Sequence, residues 1–510
     1  MSHSREEVLH DLERTDVGVV STSAGEKLRS RMMHIAVDRD FNFYVASMKG
    51  DPKTLQMTRQ PSISILVSPR NEDINTSREI EITGATSFIT DPDEKRKALE
   101  ITAVKSPVVK YMKETGNEGM LDYIKISPET IKYRIFGEIV QGIPPTVLEF
   151  PGNVSRVSDW SRLKMKLHSW WMELRPSFLT ASIVPVLLGS AVAWSVIGSF
   201  NFGYFLLALL AGILMQAGTN IINDYFDHSS GNDEANVEFV RPFSGGSRLI
   251  QLGLMSPLEV LAEALICFVL ATAIGLFLAW TRGPFLLILG AIAILSGFFY
   301  SGKPFNWSSR GLGELIVGLN FGPLMALGAY YVQTQSLSWL PVLASLPVAF
   351  LISAVLYINE FPDFNADNKV GRKTWVVRLG KQKAVTGFGV LLTGAYVVLV
   401  GGIITGQMPA VTAIALVTLP LAVKALLHAW KHYDSSFDLA PANGLMVTSH
   451  LATGLFLTLA YLWQSIGSKG WVYMSLAALG CLAFILYMYW YIERQKRVFH
   501  GLKQAVSGGN

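Results

Sequence analysis

The chain has 510 residues, half of them hydrophobic and only 16% charged, with a net charge of +4. The length calls for two or more domains, the apolar bias for a membrane protein, and the modest charge gives no face for nucleic acid. Its two cysteines, Cys267 and Cys481, lie inside apolar runs, which argues against a disulfide framework or a thiolate metal site.

The opening, MSHSREEVLHDLERTD, is charged and lacks an apolar core, so it is not a signal peptide and the N-terminal domain is expected in the cytoplasm. The runs VGVVSTSAG, RMMHIAVD, FNFYVASM, SISILVS, EIEITGATSFI and KYRIFGEIV are β-rich and separated by polar turns. Six strands in this length predict a small α+β barrel, with helices at REEVLHDLERT and near PDEKRKALEIT. The order of runs, with RSRMMHIAVD, FYVASMKGDPK and TLQMTRQPSISIL, resembles the pyridoxamine-phosphate-oxidase-like split barrel, a flavin-binding fold. The resemblance implies a domain over residues 1–148 in which Arg31, Ser47 and Lys53 hold the phosphate of FMN or a related flavin. Two cations and a hydroxyl are what a phosphate monoester needs. Similar barrels bind deazaflavin, haem or nothing, and such a barrel can pair with a second copy.

Residues 149–175 are expected to join the halves. DWSRLKMKLHSWWMELRPS mixes Arg162, Lys164, Lys166 and Arg175 with Trp160, Trp170 and Trp171, which suits a helix at the headgroup boundary or an ordinary charged linker.

Beyond it, ten apolar segments lie near 176–194, 203–223, 258–280, 284–300, 312–332, 340–360, 384–405, 409–429, 443–464 and 472–491. Each approaches the roughly 20 residues that a bilayer crossing needs. They predict an all-α polytopic bundle of nine to ten transmembrane helices. The connections after every second segment are basic, carrying Lys303, Arg310, Lys369, Arg372, Lys373 and Arg378 among others, while the opposite ones carry only Arg282 and Lys469. The positive-inside rule then places both termini in the cytoplasm, with the bundle in the cell (inner) membrane.

Two of these segments end in acid. TNIINDYFDHSSGND places Asn220 four residues before Asp224, then Asp227 and Asp233. LYINEFPDFNADNKVGRKT places Asn359 four residues before Asp363, then Asp367. Spacings of three or four put these groups on one helix face. Two such faces opposed gather at least four carboxylates, which need cations, and hard oxygen donors at a membrane face favour Mg²⁺ with substrate phosphate oxygens. The nearby Arg241, Arg248, Lys303, Lys369, Arg372, Lys373 and Arg378 suit a polyanion. Together they describe a site for a diphosphate with a greasy tail. Two other readings stay open: the acids cap helices or solvate loops, or the chain binds or transports lipid diphosphates without chemistry.

The two Asp-rich motifs, with GLGELIVGLNFGPLMALGAYYVQT and KTWVVRLG, resemble the UbiA-type intramembrane prenyltransferases, and among them the 1,4-dihydroxy-2-naphthoate polyprenyltransferases of menaquinone synthesis. The resemblance implies a nine-helix domain over 176–465 around a central cavity, with 466–510 an added helix and basic tail. It implies Mg²⁺ on Asn220, Asn223, Asp224, Asp227, Asp233, Asp363 and Asp367, with Asp224, Asp227, Asp363 and Asp367 catalytic. Lys303, Lys369, Arg372 and Lys373 would hold the leaving diphosphate, with Arg241 and Arg248 nearby. A polyprenyl diphosphate and an aromatic acceptor are the implied substrates, and Tyr225, Tyr300 and Phe361 are aromatic groups near enough to shield a carbocation. Where naphthoate enzymes usually carry a second Asn and an Arg, this chain has Glu360 and Pro362, which leaves the acceptor open. The fusion suggests that a flavin domain handles the redox state of a quinone-type acceptor or product.

Overall fold

In the first 150 residues, apolar side chains alternate with polar ones, and that period of two builds a sheet with one buried face. The computed structural model describes residues 3–24, 27–69, 73–151, 159–236, 238, 240, 243–466 and 470–507. They divide into two compact units, one centred on residues 1–169 and one on 170–496.

The first unit is a split barrel of eight antiparallel strands, β1 (Val17–Ala24), β2 (Lys27–His34), β3 (Ala36–Val37), β4 (Phe43–Met48), β5 (Ser62–Val67), β6 (Arg78–Phe88), β7 (Leu121–Ile135) and β8 (Thr146–Glu149). The order is β2-β1-β5-β6-β7-β4-β3, with β8 on β7. Val20, Phe43, Val45, Ile65, Ile80, Ile82, Ile124 and Ile126 fill the interior. Both expected helices form, as Arg5–Glu13 and Pro92–Lys105, the latter capped by Asp91 accepting from the Glu94 N–H.

β7 differs from the sequence reading at both ends. Its first half, LDYIKISPET, contains a proline and three charges and gives no strand signal. The proline is tolerated because the β6–β7 register shifts between Thr83 and Gly84, opposite Pro128, so its missing N–H falls at a bulge. At the other end KYRIFGEIV splits: the strand stops at Ile135 and Phe136–Val140 turns helical.

The second unit has nine described helices long and apolar enough to cross a membrane, and a shorter apolar helix, Phe285–Phe299. Nine spans and the short helix match the ten segments read from sequence. The chain is therefore a multi-pass membrane protein by helix length and composition. The span Gly313–Thr334 carries a π-turn at Asn320–Leu324, around Pro323. Close packing comes from small residues. A Cβ added at Gly189 would lie 2.1 Å from the Ala326 carbonyl oxygen, so only glycine lets Thr180–Ile197 and Met325–Thr334 approach this closely.

The helices Phe202–Ser230 and Leu340–Val370 are 29 and 31 residues long. At 1.5 Å per residue each exceeds the ~30 Å hydrocarbon core by about 13 Å or more. Their final turns, which carry the acids, therefore have length to spare beyond the apolar layer.

Two outcomes test this packing. Gly189→Leu should lower the thermal stability of the detergent-solubilised protein by about 1–3 kcal/mol or prevent folding. Gly401→Leu, at a site where an added Cβ meets nothing within 4 Å, should change it by less than about 0.5 kcal/mol. In the barrel, Asp11 accepts from the Tyr133 hydroxyl at 2.7 Å and from Arg78 at 2.6 Å. Asp11→Ala should weaken protection of the β6 and β7 amides in hydrogen exchange by about 1–3 kcal/mol.

Candidate active site at the acid ends of two helices

The helices that carry the two motifs line one cavity of about 390 Å³. Along the first, the lining residues run Ala208, Ala211, Gly212, Met215, then Thr219, Asn220, Asn223 and Asp227. Along the second they run Ile352, Val355, Leu356, then Asn359, Glu360, Asp363 and Asp367. Steps of three and four keep each series on one helix face, so the cavity changes from apolar to acidic along both walls. Leu286, Leu289, Ile316, Phe321 and Leu324 extend the apolar part.

At the acidic end Arg372 joins the motifs. Its Nη1 lies 3.0 and 3.1 Å from the two Asp227 oxygens, its Nε 3.6 Å from Asp367 Oδ1, and its Nη2 donates to Ser308 Oγ at 3.2 Å. Burial by itself would lower the Arg372 pKa, but Asp227 and Asp367 more than reverse this and hold it above the ordinary arginine range. Asn223 donates to Asp227 at 3.3 Å and to Ser301 at 2.6 Å. Asn236 donates to Asp363 at 2.7 Å, and Gln251 to Asp233 at 3.0 Å.

The expected residues separate into groups. Asn220, Asn223, Asp227, Asp233, Asp363 and Asp367 all line the cavity. Asp224 does not: it is buried behind the wall, accepts from the Ser247 N–H at 2.8 Å and lies 3.8 Å from Arg175. Gly246, at φ +67°, passes so close that a Cβ there would meet Asp224 Oδ1 at 2.6 Å. Behind it Glu173 is also buried, and burial together with Asp224 pushes its carboxyl well above the usual carboxylate range.

Of the expected diphosphate cations, Arg372 lines the cavity. Arg248 is buried and donates to the backbone carbonyls of Asp233 and Asn236, holding the loop that presents them. Lys303, Lys369 and Lys373 are exposed and outside the lining, and Arg241 falls outside the described residues. Arg175, expected only as a basic residue of the joining segment, lines the cavity, as do Asn232 and Asn236, which the sequence reading does not single out. Asn232 and Asn236 occupy the DHSSGNDEAN continuation of the first motif, a spacing of four that was there to be read. Among the three aromatic candidates, Tyr300 faces the cavity, whereas Phe361 packs on Tyr357 with centroids 6.1 Å apart.

The donor set suits a hard divalent cation. Asp367 Oδ1, Asn232 Oδ1 and Asn236 Oδ1 are buried without a hydrogen-bond donor, beside the Asp227 and Asp363 carboxylates. Among the described residues no three His, Cys, Asp or Glu side chains are grouped closely enough to hold a metal alone. The carboxylate and amide oxygens are hard donors of the kind Mg²⁺ takes, with water and phosphate oxygens completing its shell.

In the barrel, Ser47 donates to Asp51 at 3.1 Å and Lys53 lies 3.1 Å from the same carboxylate. Arg31 bonds Thr22 and, at 2.6 Å, Gln56. Burial lowers the Arg31 pKa, partly offset by Asp51. Asp51, which also caps Pro52–Arg59 by accepting from the Lys53 N–H, thus pairs with two of the three expected residues, Ser47 and Lys53.

The sequence profile of the UbiA prenyltransferase family matches residues 182–446. A 2-carboxy-1,4-naphthoquinone phytyltransferase of Synechocystis sp. is 29% identical over 300 residues, covering 58% of this chain and 94% of that protein. A 1,4-dihydroxy-2-naphthoate octaprenyltransferase of Bacillus subtilis is 30% identical over 256 residues, covering 50% of this chain and 80% of that protein. Among solved structures, general stress protein 26 of Bacillus anthracis is 24% identical with a TM-score of 0.21, covering 28% of this chain and 97% of that one. A digeranylgeranylglyceryl phosphate synthase is 18% identical with a TM-score of 0.40, covering 59% and 99%. Both acid-tipped helices and most of the cavity they line fall inside the matched segment, and the chain belongs to the UbiA prenyltransferase family.

Proposed function

We propose that this prenyltransferase moves a polyprenyl group from its diphosphate to an aromatic quinone precursor within the membrane, a hydroxylated naphthoate such as the one the Bacillus subtilis relative is named for. The observation that carries this reading is Arg372 bridging Asp227 and Asp367 at the acidic end of an otherwise apolar cavity. A diphosphate head belongs at that end and an isoprenoid chain along Ala208, Ala211, Met215 and Ile352.

Arg372 holds the diphosphate and stabilises the negative charge that builds on it as the allylic C–O bond breaks and its electron pair leaves with the diphosphate. Asp227, Asp363, Asp367, Asn232 and Asn236 would hold Mg²⁺, which supplies charge neutralisation and Lewis acidity when bound. The apolar wall excludes water from the allylic cation, and the Tyr300 ring offers it a π face. The aromatic ring then forms the new C–C bond and loses a proton, or CO₂ where the attacked carbon carries a carboxylate. Asp224, with Arg175 and Ser247, positions the motif from behind.

The positive-inside pattern supports both termini being cytoplasmic. For the barrel, a flavin phosphate on Arg31, Ser47 and Lys53 requires the Asp51 carboxylate to be displaced. Purified protein with flavin absorbance that falls in Arg31→Ala is the supporting result; protein without bound flavin overturns it.

Membranes containing the protein, given labelled polyprenyl diphosphate and hydroxynaphthoate, should release diphosphate and form a prenylated product identified by mass spectrometry. Asp227→Asn and Asp367→Asn should each lower kcat by about 10²-fold or more. Chelation of divalent cations should abolish turnover and added Mg²⁺ restore it. Arg372→Lys keeps the charge but loses the planar fork, and should raise KM for the prenyl diphosphate by about tenfold. Turnover indifferent to all of these changes overturns the assignment.

A further inference from the structure

One cavity group is left over by the diphosphate chemistry. Glu360 lies on the wall between Leu356, the last apolar lining residue of its helix, and Asp363, the first aspartate of the second motif. Its neighbours on that face are engaged: Asn359 Oδ1 accepts from Asn443 at 2.6 Å, Asp363 from Asn236, and Asp367 faces Arg372. Glu360 is 8% exposed, and among the described residues nothing donates to its Oε2. Glu314 carries the neighbouring carboxyl, and Oε2 of each is buried without a donor from any described group. Glu314 is itself fixed, its Oε1 accepting the Trp375 N–H at 3.0 Å.

A carboxyl held in a largely apolar wall without a donor is unfavourable unless something supplies one. The diphosphate offers only acceptor oxygens and gives Oε2 no donor. The other substrate of a prenyl transfer to a ring does: a phenolic O–H is a donor on a flat apolar body. Tyr300 lies on the same cavity lining as Glu360. A ring there lies beside the prenyl chain, beyond the acidic end.

Resting on the prenyltransferase assignment, we infer that Glu360, backed by Glu314, is the specificity-determining residue for the aromatic acceptor. It takes a hydrogen bond from a ring hydroxyl and selects acceptors that present that hydroxyl over those that present an ether or a carboxylate at the same point. A buried site built to pair with a hydroxyl rejects analogues lacking it far more strongly than an apolar site does.

The test measures both binding and turnover on the full-length protein in detergent. Binding of 1,4-dihydroxynaphthalene and of 1,4-dimethoxynaphthalene is compared by ligand-detected NMR, without prenyl donor, for the unmodified protein, Glu360→Gln and Glu360→Leu. The unmodified protein should prefer the dihydroxy compound by at least about tenfold, and Glu360→Leu should erase the preference. Glu360→Gln, which keeps shape and an acceptor oxygen, should retain part of it and show that the fold is intact. In turnover, Glu360→Leu should raise KM for the acceptor by about tenfold and leave KM for the prenyl diphosphate within about twofold. An unchanged preference, or equal changes in both KM values, overturns the inference while leaving the prenyltransferase reading in place. A preference lost on Glu360→Leu, in a protein that transfers no prenyl group, upholds the inference and overturns that reading instead.

Discussion

Asp227, Asp233, Asp363 and Asp367 line the same end of one cavity, and the guanidinium of Arg372 reaches across the gap between the two helices that carry most of them. Like charges gathered at the edge of an apolar space repel strongly, because the low dielectric screens them little. A planar cation with several donors can pair with both sides at once. Both motif helices can therefore end at the same place, and a bound diphosphate meets charge already balanced and oriented.

Much of the remaining structure serves to hold this end in register. Arg248 is spent on the carbonyls of Asp233 and Asn236, so the loop after the first motif is fixed from behind. Asp224 is held by Ser247 and Arg175 on the far side of the helix wall. Close helix contacts at Gly189 let neighbouring spans approach to backbone distance, and large side chains there would spread the wall. The apolar lining further along has few polar groups. That suits a reaction whose cationic intermediate water would destroy.

Several features were legible in the residues. Among the described residues the ten apolar segments appear as nine long helices and one short one, because length and hydropathy decide which stretches suit lipid. The pairing of NDYFDHSSGND with NEFPDFNADN announced a shared site, since a spacing of three or four fixes a common helix face whatever the helix packs against. β7 was only half visible. Pro128 reads as a breaker until a register shift on β6 gives it a place without a hydrogen-bond partner.

By itself the sequence determined the membrane half, the two acidic faces and the presence of a small barrel, because these depend on composition and local period. Which of many basic residues meets the acids could not be read that way. Lys369 and Lys373 sit as near in sequence as Arg372, yet they are exposed, as is Lys303, while Arg372 lines the cavity. Helix rotation and loop path decided that, and they likewise put Asp224 behind the wall and Glu360 in it. Those are properties of packing between segments more than a hundred residues apart, and only the tertiary structure carries them.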